Sequence, residues 1–188
     1  CRYCFRRHFP YEDNNPSSAE WQQALNYIKA DSSIREVILS GGDPLAASDR
    51  SLNRLVSAIA EIEHVHTLRI HSRMPIVIPE RIDRDCIDWM SNTRLNTVMV
   101  VHCNHANEID RAVAAAMSKL QSTGITLLNQ SVLLAGVNDR VGALADLSEK
   151  LFSIGVLPYY IHLLDRVKGA AHLTVTKQQA QSLMGVVR

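Results

Sequence analysis

The sequence predicts an α/β fold built on a parallel sheet, and three observations predict it. Short runs rich in Val, Ile, Leu and Tyr alternate with longer amphipathic stretches. The short runs recur about every 30 residues, which is the length of a βα unit returning the chain in parallel. Each run is continuously apolar rather than alternating, as in strands buried on both faces.

Strands are expected at 36–40, 67–71, 97–102, 126–130 and 157–164. Helical spacing fills the intervals. Trp21, Leu25 and Ile28 share a face, as do Leu52, Val56 and Ile59. The segment around Cys86 reads as a further helix. Ile109, Val113, Met117 and Leu120 repeat the spacing, and so do Leu144, Leu147 and Leu151. A last run from Thr174 places Leu183, Met184 and Val187 on one side, making about six helices. Ser17 or Ser18, Ser48 and Asp139 stand where helix N-caps belong. Gly124 and Gly155 stand where left-handed C-terminal caps belong.

At 188 residues the chain suits one domain, expected over 1–188. No run approaches the roughly 18 apolar residues of a membrane span, so no membrane partner is expected. A net charge of +1 without blocks of like charge argues against nucleic acid. The four cysteines, at 1, 4, 86 and 103, form no dense framework and suit a reducing cytoplasm. Cys86 and Cys103 read as packing residues, because a free cysteine behaves as a small hydrophobe.

Function is concentrated where the strands end. Ser40-Gly41-Gly42-Asp43-Pro44 follows the first, and His71-Ser72-Arg73 the second. His102-Cys103-Asn104-His105 ends the third, Asn129-Gln130-Ser131 the fourth, and His162 with Asp165 the fifth. A polar residue at one strand end is ordinary; five in succession mark the edge where parallel α/β sheets bind ligands. Gly41 and Gly42 let backbone approach a ligand closely, and the Asp43 carboxylate beside them could hold an ammonium. Asp165 lies beside an apolar stretch and calls for a partner, either Arg166 or a cationic ligand. Arg6 and Arg7 could grip a carboxylate, or form a solvated basic pair.

Cys1 and Cys4 present two thiols three positions apart. A zinc ribbon needs a second such pair, which Cys86 and Cys103 are too far apart to supply. A redox pair would open a helix, and Phe5-Arg-Arg-His-Phe-Pro10 is a poor helix start. An iron–sulfur site would use the pair as part of a larger set.

Cys1-Arg-Tyr-Cys4 resembles the last two cysteines of the C-x-x-x-C-x-aromatic-C signature of radical S-adenosylmethionine enzymes. The first cysteine of that signature would lie four positions before Cys1. The blocks Cys1–Tyr11, Leu39–Leu45, Asn104–Ile109, Asn129–Leu134 and Pro158–Ile161 together resemble the lysine 2,3-aminomutase family, over essentially the whole chain. Within it, His8-Phe9-Pro10-Tyr11 looks most like the branch that β-lysylates elongation factor P.

The resemblance implies a partial parallel (β/α)6-type barrel, truncated here at both ends. On that reading the chain begins inside the cluster-binding loop and stops in or near the last barrel helix. It implies a [4Fe–4S] cluster, S-adenosylmethionine, pyridoxal 5'-phosphate and a reducing electron donor, acting together to move the amino group of L-lysine from C2 to C3. Carried over by position, Cys1 and Cys4 would bind the cluster, and Tyr3 would lie near the adenine. Gly41, Gly42 and Asp43 would hold the methionine ammonium, and His102 and Gln130 would line the cofactor pocket. Arg6 would take the lysine carboxylate, and Asp165 its side-chain ammonium. None of Lys29, Lys119, Lys150, Lys168 or Lys177 has the glycine-rich context of the family's pyridoxal lysine. That residue is expected beyond Arg188, which would leave this stretch alone inactive. Two other destinations are compatible with the residues: β-lysine for free-lysine metabolism, and, in a different class, a structural module with zinc on Cys1 and Cys4.

Overall fold

The computed structural model describes residues 3–4 and 18–186. The chain runs α1 (Ser18–Ala30), β1 (Glu36–Leu39), α2 (Asp49–Ala60), β2 (Thr67–Ser72), α3 (Met74–Val77), α4 (Arg84–Ser91) and β3 (Asn96–His102). It continues through α5 (Arg111–Gln121), β4 (Thr126–Leu133), α6 (Val141–Ser153), β5 (Leu157–Leu163) and α7 (Lys177–Val186). All five strands are parallel, and they lie side by side in chain order, β1-β2-β3-β4-β5. Each expected strand is present, with ends shifted by one residue or, in β4, extended by three to Leu133.

The expectation of strands covered on both faces needs correcting. Along β2, Leu68, Ile70 and Ser72 are buried, whereas Thr67, Arg69 and His71 are only partly so. Along β4, Leu127, Asn129, Ser131 and Leu133 are buried, and Leu128, Gln130 and Val132 are not. One face therefore packs under the helices while the other faces a hollow. The alternation escapes a reading by hydropathy because the hollow face mixes Leu128 and Val132 with Arg69, His71 and Gln130.

The core lies between the sheet and α2, α4 and α5. Leu52, Val56 and Ile59 from α2 meet Trp89 and Met90 from α4, and Met117 and Leu120 from α5, all nearly inaccessible. Ile109 joins this core but precedes α5, ending the 3₁₀ turn Ala106–Glu108. Arg94 closes the C-terminal end of α2, its guanidinium donating to the carbonyls of Ala60, Ile62 and Val65 at 2.6, 2.6 and 2.9 Å. The carbonyl of Ala60 is one a helix end leaves without a partner, and those of Ile62 and Val65 belong to the turn that follows.

Ser48 caps α2 as expected, its hydroxyl accepting from Ser51 N. Asp83 and Asp110 cap α4 and α5 in the same way. Asp139 does not cap α6: the capping position falls on Arg140, without a side-chain bond. Gly124 and Gly155 end their helices at φ +83° and +73°, the left-handed geometry expected of them.

Candidate functional site

The C-terminal ends of the strands surround a cleft of about 680 Å³. Its wall brings together Tyr3, Cys4, Gly41, Gly42, Asp43, His102, Gln130 and Asp165. Cys1 and Arg6 lie outside the described residues. Among the described residues no three His, Cys, Asp or Glu side chains converge on a metal position. Cys4 carries a free, half-buried thiol. Cys86 and Cys103 are fully buried, and burial pushes both thiols up to about 12, which suits packing.

Asp43 does more for the fold than its sequence setting suggests. One carboxylate oxygen accepts from Ser72 Oγ at 2.7 Å and Leu45 N at 3.1 Å, and the other from Arg73 N at 2.8 Å. It thereby caps the 3₁₀ turn Pro44–Ala46 and ties the glycine turn after β1 to the end of β2. Asp165, by contrast, is exposed at the cleft and makes no hydrogen bond or ion pair among the described residues, so Arg166 is not its partner.

A polar cluster lines the hollow face. His102, Gln130 and Tyr160 are register partners on β3, β4 and β5. Tyr160 donates to Gln130 Oε1 at 2.9 Å, and His71 Nδ1 lies 3.2 Å from the same oxygen. The amide nitrogen then points to His102, 2.7 Å from Nε2 and 3.1 Å from Nδ1. An amide N–H can only donate, so one of these two ring nitrogens is bare and accepts it. Burial, with His71, Arg73 and His162 nearby, pushes the His102 imidazole down to about 4. Burial also lowers His71. Both rings are therefore neutral at neutral pH. His71 Nε2 is the buried side-chain atom left without a partner among the described residues.

A pH dependence follows. The unfolded histidine takes a proton near 6.5, and folded His102 only near 4. Between those values the unfolded state binds more protons, so stability falls as the pH drops through the window. The loss expected from this residue is on the order of 2–3 kcal/mol. Urea unfolding of parent and His102→Gln proteins between pH 7 and 4 checks it. Profiles of identical slope would rule it out.

A second network joins the strand ends to the cysteine loop. Arg73 pairs with Glu108 at 2.6 Å and donates to the Tyr3 hydroxyl at 3.0 Å and to the His102 carbonyl at 3.2 Å. Asn104, 4 % exposed, donates through its amide to the same hydroxyl. Glu108 also accepts from the backbone of Asn104 and His105, at 2.7 and 2.9 Å.

No family model matches the chain. An L-lysine 2,3-aminomutase of Haemophilus influenzae is 54% identical over 183 residues, which is 97% of this chain and 54% of that protein. The L-lysine 2,3-aminomutase of Escherichia coli is 50% identical over 98% of this chain and 54% of its own length. That of Clostridium subterminale is 40% identical over 92% and 41%. By sequence, the chain belongs to the lysine 2,3-aminomutase family. It spans about half the length of these relatives.

The solved structures agree on the fold. Streptococcus suis SuiB bound to S-adenosylmethionine superposes with a TM-score of 0.68 at 12% identity, over 93% of this chain and 40% of that one. A radical SAM methyltransferase from Sphaerobacter thermophilus gives 0.54 at 14% identity, over 90% and 52%. The parallel sheet is thus a partial barrel of the radical SAM kind, as the resemblance implies.

For this aminomutase-family chain, sequence reading passes over Arg73, Asn104, Glu108, His71 and Tyr160 as site residues. His71 and Arg73 do stand in the polar cluster after β2. Asn104 stands in the cluster after β3, Glu108 is found as the partner of Arg73, and Tyr160 only from strand register, which pairs it with Gln130.

Proposed function

We propose that the protein containing this chain is a radical SAM lysine 2,3-aminomutase converting L-lysine to (R)-β-lysine. The observation that carries the reading is one cleft at the strand ends, lined by Cys4, the glycine turn, His102, Gln130 and Asp165, in a chain half identical to proteins named for that activity.

The donor set fits the implied cofactors. Cys4 offers a free thiol at the rim, and with Cys1 and one upstream cysteine it would hold a [4Fe–4S] cluster. When bound, the cluster, S-adenosylmethionine and pyridoxal phosphate supply one-electron cleavage, hydrogen abstraction and stabilisation of the migrating amino group. A reducing electron donor completes the set. The chain's own residues bind and orient. Gly41 and Gly42 bring backbone close to the methionine end of the ligand. Neutral Gln130 and His102 offer hydrogen bonds without introducing charge. Val77, Val132, Leu163 and Leu164 make part of the wall apolar and exclude water. Arg6 takes the lysine carboxylate and Asp165 the ammonium, which fixes substrate length between a cation and an anion.

The elongation factor P resemblance makes that protein the destination of the β-lysine. We read 1–188 as part of one catalytic domain of a cytoplasmic enzyme. The test uses the full-length protein, reconstituted anaerobically with iron and sulfide and supplied with S-adenosylmethionine, pyridoxal phosphate, reductant and L-lysine. β-Lysine is the expected product; once a separate ligase and ATP are added to activate its carboxylate, attachment to elongation factor P is read as a mass shift. A well-formed cluster that yields no β-lysine would overturn the reading; bound zinc with no visible chromophore would favour a structural module.

A further inference from the structure

We propose that Arg73 and Asn104 are positioning residues that register the cysteine loop against the sheet by gripping the Tyr3 hydroxyl between them. The role deepens the proposed function, since it concerns where the thiol of Cys4 is presented.

Tyr3 precedes Cys4 directly, so fixing its phenol limits where the next side chain can go. The hydroxyl oxygen takes two donors from different strands. Arg73, just past β2, reaches it at 3.0 Å, and Asn104, just past β3, reaches it through its amide. Neither donor is free to drift. The Arg73 guanidinium is also held by Glu108 at 2.6 Å and by the His102 carbonyl at 3.2 Å. The Asn104 amide is oriented from its other end, where its oxygen accepts from Val132 N at 2.8 Å.

The grip extends to the glycine turn. The backbone N–H of Arg73 donates to Asp43 at 2.8 Å, and Asp43 follows Gly42. One residue therefore links the turn after β1, the end of β2, the end of β3 and the cysteine loop. A ligand reaching from Cys4 to Gly42 meets two anchors whose separation Arg73 sets. Packing alone would be served by phenylalanine; the two donors converging on one oxygen give the hydroxyl its purpose. Arg73 lines the cleft and Glu108 matches its charge, so the loop is held by an already paired cation.

The test compares full-length wild type with Tyr3→Phe, Arg73→Lys and the double variant. In the protein without cluster, iodoacetamide labelling of Cys4 is followed by peptide mass spectrometry. Loss of a hydrogen bond to a charged donor should speed labelling about tenfold. Tyr3→Phe should add less than its own single effect once Arg73 is lysine, because their shared contact is already lost and only the bond from Asn104 remains to be broken. In the reconstituted protein, the change that S-adenosylmethionine induces in the electron paramagnetic resonance spectrum of the reduced cluster should weaken in Tyr3→Phe at an unchanged melting temperature. Wild-type labelling rate with a wild-type spectral response in Tyr3→Phe would overturn the proposal. Additive rates in the double variant would overturn the role of Arg73. Labelling needs neither cofactor nor lysine: fast labelling without β-lysine formation sinks the functional reading alone, and β-lysine formation with unchanged labelling sinks the grip alone.

Discussion

Asp165→Lys in the full-length protein is expected to abolish lysine turnover. A carboxylate about 4 Å from an ammonium contributes about 4 kcal/mol at the effective dielectric of a protein surface. Reversing the sign replaces attraction with repulsion, so a loss of at least about a thousandfold in kcat/KM is expected. Asp165 is exposed and unpaired among the described residues, so its replacement leaves no broken ion pair behind and folding should survive. The measurement is β-lysine formation against lysine concentration, with the melting temperature as control. Turnover within a few-fold of wild type would remove Asp165 from the substrate site. Charge also separates lysine from an acidic substrate: an anion at this edge repels a second carboxylate.

The largest stability effect is expected from Asn138→Ala. Asn138 is 0 % exposed, and its side chain bridges three backbone groups. Its oxygen accepts from Leu134 N at 2.8 Å, and its nitrogen donates to the carbonyls of Asn104 and Val132 at 2.9 and 3.0 Å. Truncation leaves those groups buried with fewer partners, at about 1–3 kcal/mol for each group left unsatisfied. The sum is not additive, and about 3–5 kcal/mol is expected in urea unfolding. Asn138→Asp keeps the acceptor but sets a buried carboxylate oxygen against the carbonyls of Asn104 and Val132, so it should cost at least as much as alanine. A shift under about 1 kcal/mol would mean that the loop after β4 relaxes to satisfy itself.

The legible features are those carried by local pattern. The five strands, the Ser48 cap and the glycine ends of α5 and α6 each follow from a few neighbouring residues. The polar strand ends were legible for the same reason, because parallel strands of similar length bring their last residues to one edge. What stayed hidden depends on distance along the chain. Arg73 and Tyr3 are 70 positions apart, and Asn104 and Tyr3 are 101 apart. No periodicity connects them. Asp43 shows the same limit. A carboxylate beside two glycines suggests a ligand contact, and nothing local announces that it also ties Leu45, Ser72 and Arg73 together. Asp139 missed its capping role by one residue, which is within the ordinary uncertainty of helix starts.

The strand order has a consequence for how the chain acquires its structure. Among the described residues, each of β2 to β5 pairs with the strand made just before it, so none of these pairings waits for a distant segment. Loop-closure entropy is met in similar small instalments of one βα unit, rather than in a single large one. Such a sheet can lengthen sideways while synthesis continues, each new strand docking on a template already laid down. The growing edge moves with the ribosome, and the newest strand offers the row of free backbone groups on which the next one docks.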